Sequence, residues 1–107
     1  MKGMKENQIL VVIKEPGKEA RVEPLFDNTL KAFQKAVDGY IEAYTVTSDV
    51  ALICNEEGLG LGLPYNCHFC HLPFYGTVIA VGVKGEEFVS LRSAFVPVLL
   101  RKLKEEK

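Results

Sequence analysis

The run Gln8-Ile9-Leu10-Val11-Val12-Ile13-Lys14 is apolar without interruption between its polar ends and rich in β-branched residues. No wet face is left among Ile9 to Ile13, so the segment reads as a strand buried on both sides, central in a sheet. The rest of the chain must therefore supply neighbours on either edge and a cover for each face. Glu15-Pro16-Gly17-Lys18 follows at once, with Pro and Gly where a type II turn wants them. Glu19 to Leu25 then reads as extended, with Ala20 and Val22 on one face and Arg21 and Glu23 on the other. The two segments form a hairpin.

The first cover comes next. Leu30, Phe33 and Val37, with Ala32 and Ala36, recur at helical spacing, while Lys31, Gln34, Lys35 and Asp38 take the solvent side. Asp27 or Asn28 is expected to cap the start, and Gly39 to end the helix. Tyr40 to Thr47 alternates as a strand, Ser48-Asp49 turns, and Val50 to Cys54 is a second buried strand. Asn55-Glu56-Glu57-Gly58 is a turn in which Gly58 is suited to positive φ. The leucines and glycines of Leu59 to Pro64 suggest a loop held down by its leucines. Asn66 to Pro73 reads as a polar loop rich in Cys and His, with Phe69 and Leu72 tucked onto the core. Phe74 to Val83 reads as one long strand, Lys84 to Glu87 as a turn, and Phe88 to Leu91 as a short return strand.

A second helix is expected from about Ala94 to Lys104, because Pro97 is tolerated only in a first turn. Its apolar residues Phe95, Val96, Val98, Leu99, Leu100 and Leu103 make a face wider than one sheet needs, which points to a homodimer contact through this helix. The expected fold is α+β: a largely antiparallel sheet of about five to six strands with two helices packed on it. It forms one domain over residues 1–107, with a flexible N-terminus (1–7) and a frayed C-terminus (104–107).

Composition agrees with this. The chain has 107 residues, 13 basic and 14 acidic, for a net charge of −1, and 48% of it is hydrophobic. Such a chain can bury a core without staples, and two domains would each be too small. Near-neutral charge argues against general nucleic-acid binding, which needs a basic footprint. No stretch approaches the roughly 20 apolar residues of a membrane span. The polar start lacks the features of a signal peptide, so a cytoplasmic location is expected. Three cysteines there are free thiols or metal ligands sooner than disulfides.

Chemistry-bearing residues concentrate in Cys67-His68-Phe69-Cys70-His71. Cys67 and Cys70 have the spacing that lets two thiolates reach one zinc ion, with His71 or His68 as a third donor. A fourth would have to come from Cys54, a carboxylate such as Glu56, or a second copy. The run also satisfies the c-type haem motif in letters, without the export that attachment requires. A third reading makes it an ordinary exposed turn. A cysteine nucleophile would use the same histidines as base, but no orienting partner is marked. Gly58, Gly60 and Gly62 lack the lysine and helix of a phosphate loop. The pairs Glu56-Glu57 and Glu86-Glu87 fit solvated turns.

Several short motifs, in order and spacing, resemble a family. They are Leu30-Lys31-Ala32-Phe33-Gln34-Lys35-Ala36-Val37-Asp38-Gly39-Tyr40-Ile41-Glu42, then Cys54-Asn55-Glu56-Glu57-Gly58, Gly62-Leu63-Pro64-Tyr65-Asn66, Gly76-Thr77 and Phe88-Val89-Ser90-Leu91. Together, over roughly residues 8–92, they are similar to a small family of domains of unknown function from bacteria, their phages and plasmids. In that family a basic residue typically follows Leu-Pro-x-Asn. Here Cys67 stands in its place, so the Cys/His cluster is peculiar to this chain. The resemblance implies an accessory protein of mobile elements, with no reaction and no catalytic residue to carry over.

The functional expectation is a non-enzymatic binding or regulatory module without a resident cofactor. Its partner is a protein or a small ligand, with neither membrane nor nucleic acid involved. The candidate surface comprises Asn55, Glu56, Glu57, Gly58 and Asn66, where backbone amides and two carboxamides could converge. One alternative is a zinc-binding module or enzyme built on Cys67, His68, Cys70 and His71. Another is a protein that sequesters a small molecule or nucleotide between sheet and helix or at a dimer seam.

Overall fold

A computed structural model describes residues 7–104. The segments expected to be flexible or frayed, 1–7 and 104–107, lie outside the described residues except for Asn7 and Lys104. The buried run forms strand β1 (Gln8–Lys14). It is followed by β2 (Arg21–Asp27), helix α1 (Leu30–Val37), β3 (Ile41–Thr47) and β4 (Val50–Asn55). Then come β5 (Tyr65–Phe69), β6 (Leu72–Tyr75), β7 (Val78–Lys84) and β8 (Glu87–Val89). A short 3-10 turn, Ser93–Phe95, leads into α2 (Val96–Lys102). The fold is α+β, as expected.

The main sheet has the order β2-β1-β7-β4-β3, every pair antiparallel, with β8 added to β7. β1 pairs with β7 at Val78 to Ala80, and β8 pairs with it at Gly82 to Lys84. β4 meets both Ile79 and Gly82. β1 and β8 therefore lie end to end along one edge of β7, with β4 on the other. The junction is hydrogen-bonded: the Leu10 N–H donates to Ser90 Oγ, and the Leu91 N–H to the Leu10 carbonyl, both at 2.9 Å. It also requires a glycine. A Cβ at Gly82 would meet the Ser90 carbonyl, its carbon at 2.9 Å and its oxygen closer still.

Period-two alternation sends Ile9, Val11 and Ile13 to one face of the sheet and Val12 to the other. The first set packs with Ile53, Ile79 and Val81 under Phe33 and Val37 of α1. On the opposite face Val12, Leu52, Cys54, Val78 and Ala80 are covered by two elements, the β5–β6 hairpin (Cys67, Phe69, Phe74) and α2 (Leu99, Leu103). The molecule thus has three layers. Phe95, Val96 and Leu100 pack partly against the same core. Of the α2 face read in the sequence as a dimer contact, Leu99 and Leu103 are buried in this core, and Phe95, Val96, Val98 and Leu100 are half-buried.

Several local expectations are corrected. The N-cap of α1 is Thr29, whose Oγ1 accepts from the Ala32 N–H at 3.1 Å; Asp27 ends β2, and the Asn28 side chain donates to the Phe88 carbonyl. The left-handed residue ending α1 is Asp38 (φ 64), with Gly39 one step beyond. Gly58 is not at positive φ; it is there because a Cβ would sit 2.8 Å from the Tyr75 carbonyl oxygen. Leu59 and Leu61 do not hold the loop down, being 69% and 58% exposed. The long strand from Phe74 to Val83 is broken at Gly76 (φ 82), which lets β6 leave for a second, two-stranded sheet with β5. The polar loop is in fact that hairpin. Its turn is Cys70-His71, both left-handed (φ 53 and 67), the mirror-image turn that matches strand twist. Phe69 is buried as expected, whereas Leu72 is 41% exposed. The second helix is shorter than expected, with Pro97 in its first turn.

Candidate functional site

Asn55 and Asn66 are internal ties of the fold. Asn55, at the end of β4, is buried; its Nδ2 donates to the carbonyls of Val37 (3.1 Å) and Asp38 (3.0 Å), and its Oδ1 accepts from the Glu57 N–H (2.7 Å). This satisfies carbonyls that the end of α1 leaves open. Asn66 is wholly buried, and its Nδ2 donates to the carbonyls of Lys14 and Gly76, both at 2.7 Å. It fastens the hairpin layer to the end of β1. The Asn55 carboxamide and the Asn66 amide nitrogen are thus taken up by backbone, while Asn66 Oδ1 is buried with no hydrogen-bond partner among the described residues.

Glu56 and Gly58 do border a groove of about 270 Å³. Its walls come from three places. β3 and β4 contribute Glu42, Tyr44 and Cys54; β6 contributes Leu72 to Tyr75; the connecting turn contributes Leu59. The floor is fixed by packing, with the Tyr44 and Phe74 rings edge to face at 6.0 Å. Burial, and secondarily the Glu42 carboxylate, push the Cys54 thiol up to about 11. Cys54 is therefore protonated at neutral pH and a poor nucleophile there. Glu42 and Glu56 are the groove's charged groups, so its field favours a cation. Glu57, beside it, is exposed. Leu59 and Leu72 offer apolar surface at the rim.

Beside the groove runs β3, an outer edge of the main sheet. The two edges are unlike. β2 carries Pro24, which donates no hydrogen bond, and the charged Arg21, Glu23 and Asp27, and its pairing shifts register between Ile9 and Val11. These are the usual guards against strand addition. β3 has no proline and one charge, Glu42, and its own register shift falls at the far end, past Thr45.

The hairpin tip holds the Cys/His cluster. Cys67 is buried in the core, whereas Cys70 is exposed. Tyr65 Oη is hydrogen-bonded to His68 Nδ1. A shallow cleft of about 400 Å³ is bordered by His68, Phe69, Cys70, His71 and Lys102. Alternation along β5 turns Cys67 into the core, whereas Cys70 sits exposed in the turn. Among the described residues, no three His, Cys, Asp or Glu side chains are grouped to hold a metal ion.

One family model, for a domain of unknown function (DUF3846), matches residues 5–104. The chain belongs to DUF3846. The match extends beyond the motifs quoted above to take in β1 at one end and α2 at the other, so all three layers belong to the DUF3846 domain. No curated protein and no solved structure matches the chain. Among the described residues no helix is long and apolar enough to cross a membrane.

The exposed rim (Leu59, Leu72) escaped sequence reasoning because leucines in a loop read as anchors. The groove escaped it because its walls are far apart in the chain. A usable signal was the contrast between a strand with Pro24 and three charges and a strand of equal length with almost none.

Proposed function

We propose that this DUF3846 domain is a non-enzymatic binding module that adds an extended segment of a partner protein to the free edge of β3. The partner strand carries apolar side chains for Leu59 and Leu72 and a Lys or Arg facing Glu42 and Glu56. The observation behind this is the difference between the edges at β2 and β3: β2 is guarded against pairing, and among the described residues no strand pairs with the outer side of β3. Strand addition takes its affinity from main-chain hydrogen bonds and its selectivity from alternate side chains. The acidic groove and apolar rim supply that selectivity. The family resemblance supports a setting in phages or plasmids, with the domain as a cytoplasmic accessory protein.

Selection from a random peptide display library, followed by hydrogen exchange on the bound domain, tests this. The expected peptides alternate apolar with basic residues, and they slow exchange of the amides of residues 41–47. Glu42→Lys with Glu56→Lys should abolish their binding without unfolding the domain, both side chains being exposed. Peptides that leave the β3 amides unprotected would refute the proposal. So would β3 protection that rises with the domain's own concentration, which would give the edge to a second copy.

A further inference from the structure

Lys14 is the last residue of β1 and is 2% exposed. Its parity, shared with Leu10 and Val12, directs it to the face covered by α2. An ammonium has three donors and is costly to bury without acceptors or an opposite charge. The hydrogen-bond partner of Nζ is the Glu15 backbone carbonyl at 3.0 Å. The adjacent carboxylate is engaged elsewhere: Glu15 Oε1 faces Lys18 (3.4 Å) and Arg21 (3.3 Å). Among the described residues no carboxylate lies within 4.0 Å of Lys14 Nζ.

Lys14 also borders the cleft between the β1–β2 turn and the end of α2, which measures about 680 Å³. Lys18 and Lys104 line it too, and Glu19 is the single acid among the described residues there. Ala20, Leu100 and Leu103 give it an apolar wall. A buried cation with one acceptor among the described residues, two further cations and an apolar wall share one cavity of ligand size.

We propose that this cleft binds a small organic oxyanion, a phosphate ester or carboxylate with an apolar body. The anionic head completes the coordination of the Lys14 ammonium, Lys18 and Lys104 add long-range attraction, and the body lies on Ala20 and Leu100. The site is on the α2 side of the sheet, apart from the β3 groove, and stands or falls independently of the partner-binding reading.

The test is calorimetric titration of the full chain at constant ionic strength with inorganic phosphate, phenyl phosphate and benzoate. Saturable binding of phenyl phosphate, benzoate or both, about tenfold tighter than inorganic phosphate, is expected. Which of the two wins assigns the head group. Lys14→Met keeps the stem, should fold at least as well as the parent, and should weaken binding at least about tenfold. If that variant fails to fold, side-chain NMR of the parent decides: Lys14 and Leu103 signals should move on titration with phenyl phosphate, while those of Lys31 on α1 stay. No saturable binding, or equal binding by Lys14→Met, would overturn the proposal. A Glu105→Gln, Glu106→Gln variant that moves the Lys14 signals with no anion added would also overturn it, giving the site to the chain's own tail.

Discussion

Asn55 donates a hydrogen bond to the carbonyl of Asp38, the residue at which α1 turns left-handed. The same Nδ2 reaches the Val37 carbonyl, so one β4 side chain closes the helix end and positions the turn that borders the groove. Asn55→Ala would leave two carbonyls and the Glu57 N–H without this partner. We expect a loss of about 2–4 kcal/mol in urea unfolding. A change under about 0.5 kcal/mol would contradict the tie.

Asn66 joins two carbonyls at full burial, and here the order of two substitutions is informative. Asn66→Ala removes both donors and should cost about 3 kcal/mol. Asn66→Asp is nearly the same size but sets a carboxylate against two carbonyl oxygens, so it should be the more damaging at neutral pH. Thermal unfolding of the pair checks this. An Asp variant as stable as the Ala variant would contradict the geometry.

Cys54 predicts both a reactivity pattern and a pH dependence. Native protein should be alkylated at Cys70 alone, with Cys54 and Cys67 reacting only on unfolding. The folded Cys54 thiol is pushed up to about 11 from an ordinary value of 9.0. Between those values the unfolded chain has already lost a proton that the folded one keeps, so stability falls as pH rises. The contribution is complete below 9.0 and fades through about 11. Its full size is about 2–3 kcal/mol. Cys54→Ala should show a flatter decline over that window, and parallel curves would contradict the assignment.

The turn Cys70-His71 puts two ordinary residues where the backbone is left-handed. Cys70→Asn with His71→Gly would suit that backbone. We expect a gain of about 1 kcal/mol, read from denaturant midpoints. Destabilisation would show that these side chains hold the hairpin in some other way.

The sheet was legible where hydrophobic pattern and position agree. Ile9 to Ile13 announced a central strand because five apolar residues permit no solvent face, and Phe33 and Val37 announced the helix above it. The β5–β6 hairpin was hidden because Cys70 and His71 carry no turn signal, and because Phe74 to Val83 is rich in strand-forming residues on both sides of the break at Gly76. Asn55 and Asn66 looked like binding groups because an asparagine that ties backbone and one that faces solvent are written alike. Lys14 looked like the polar end of a strand, although its parity with Leu10 and Val12 pointed inward. The groove needed the three-layer arrangement before it could exist at all.

β7 joins the pair β1–β2 to the pair β3–β4, and it is made late. A chain emerging from the ribosome therefore carries two unconnected hairpins until residues 78–84 arrive to bridge them. The apolar residues of β1 must wait through most of synthesis for their second neighbour. Long-range pairing of this kind slows folding and exposes intermediates to association. Nascent chains halted before Val78 should be the form of this protein that most needs chaperones.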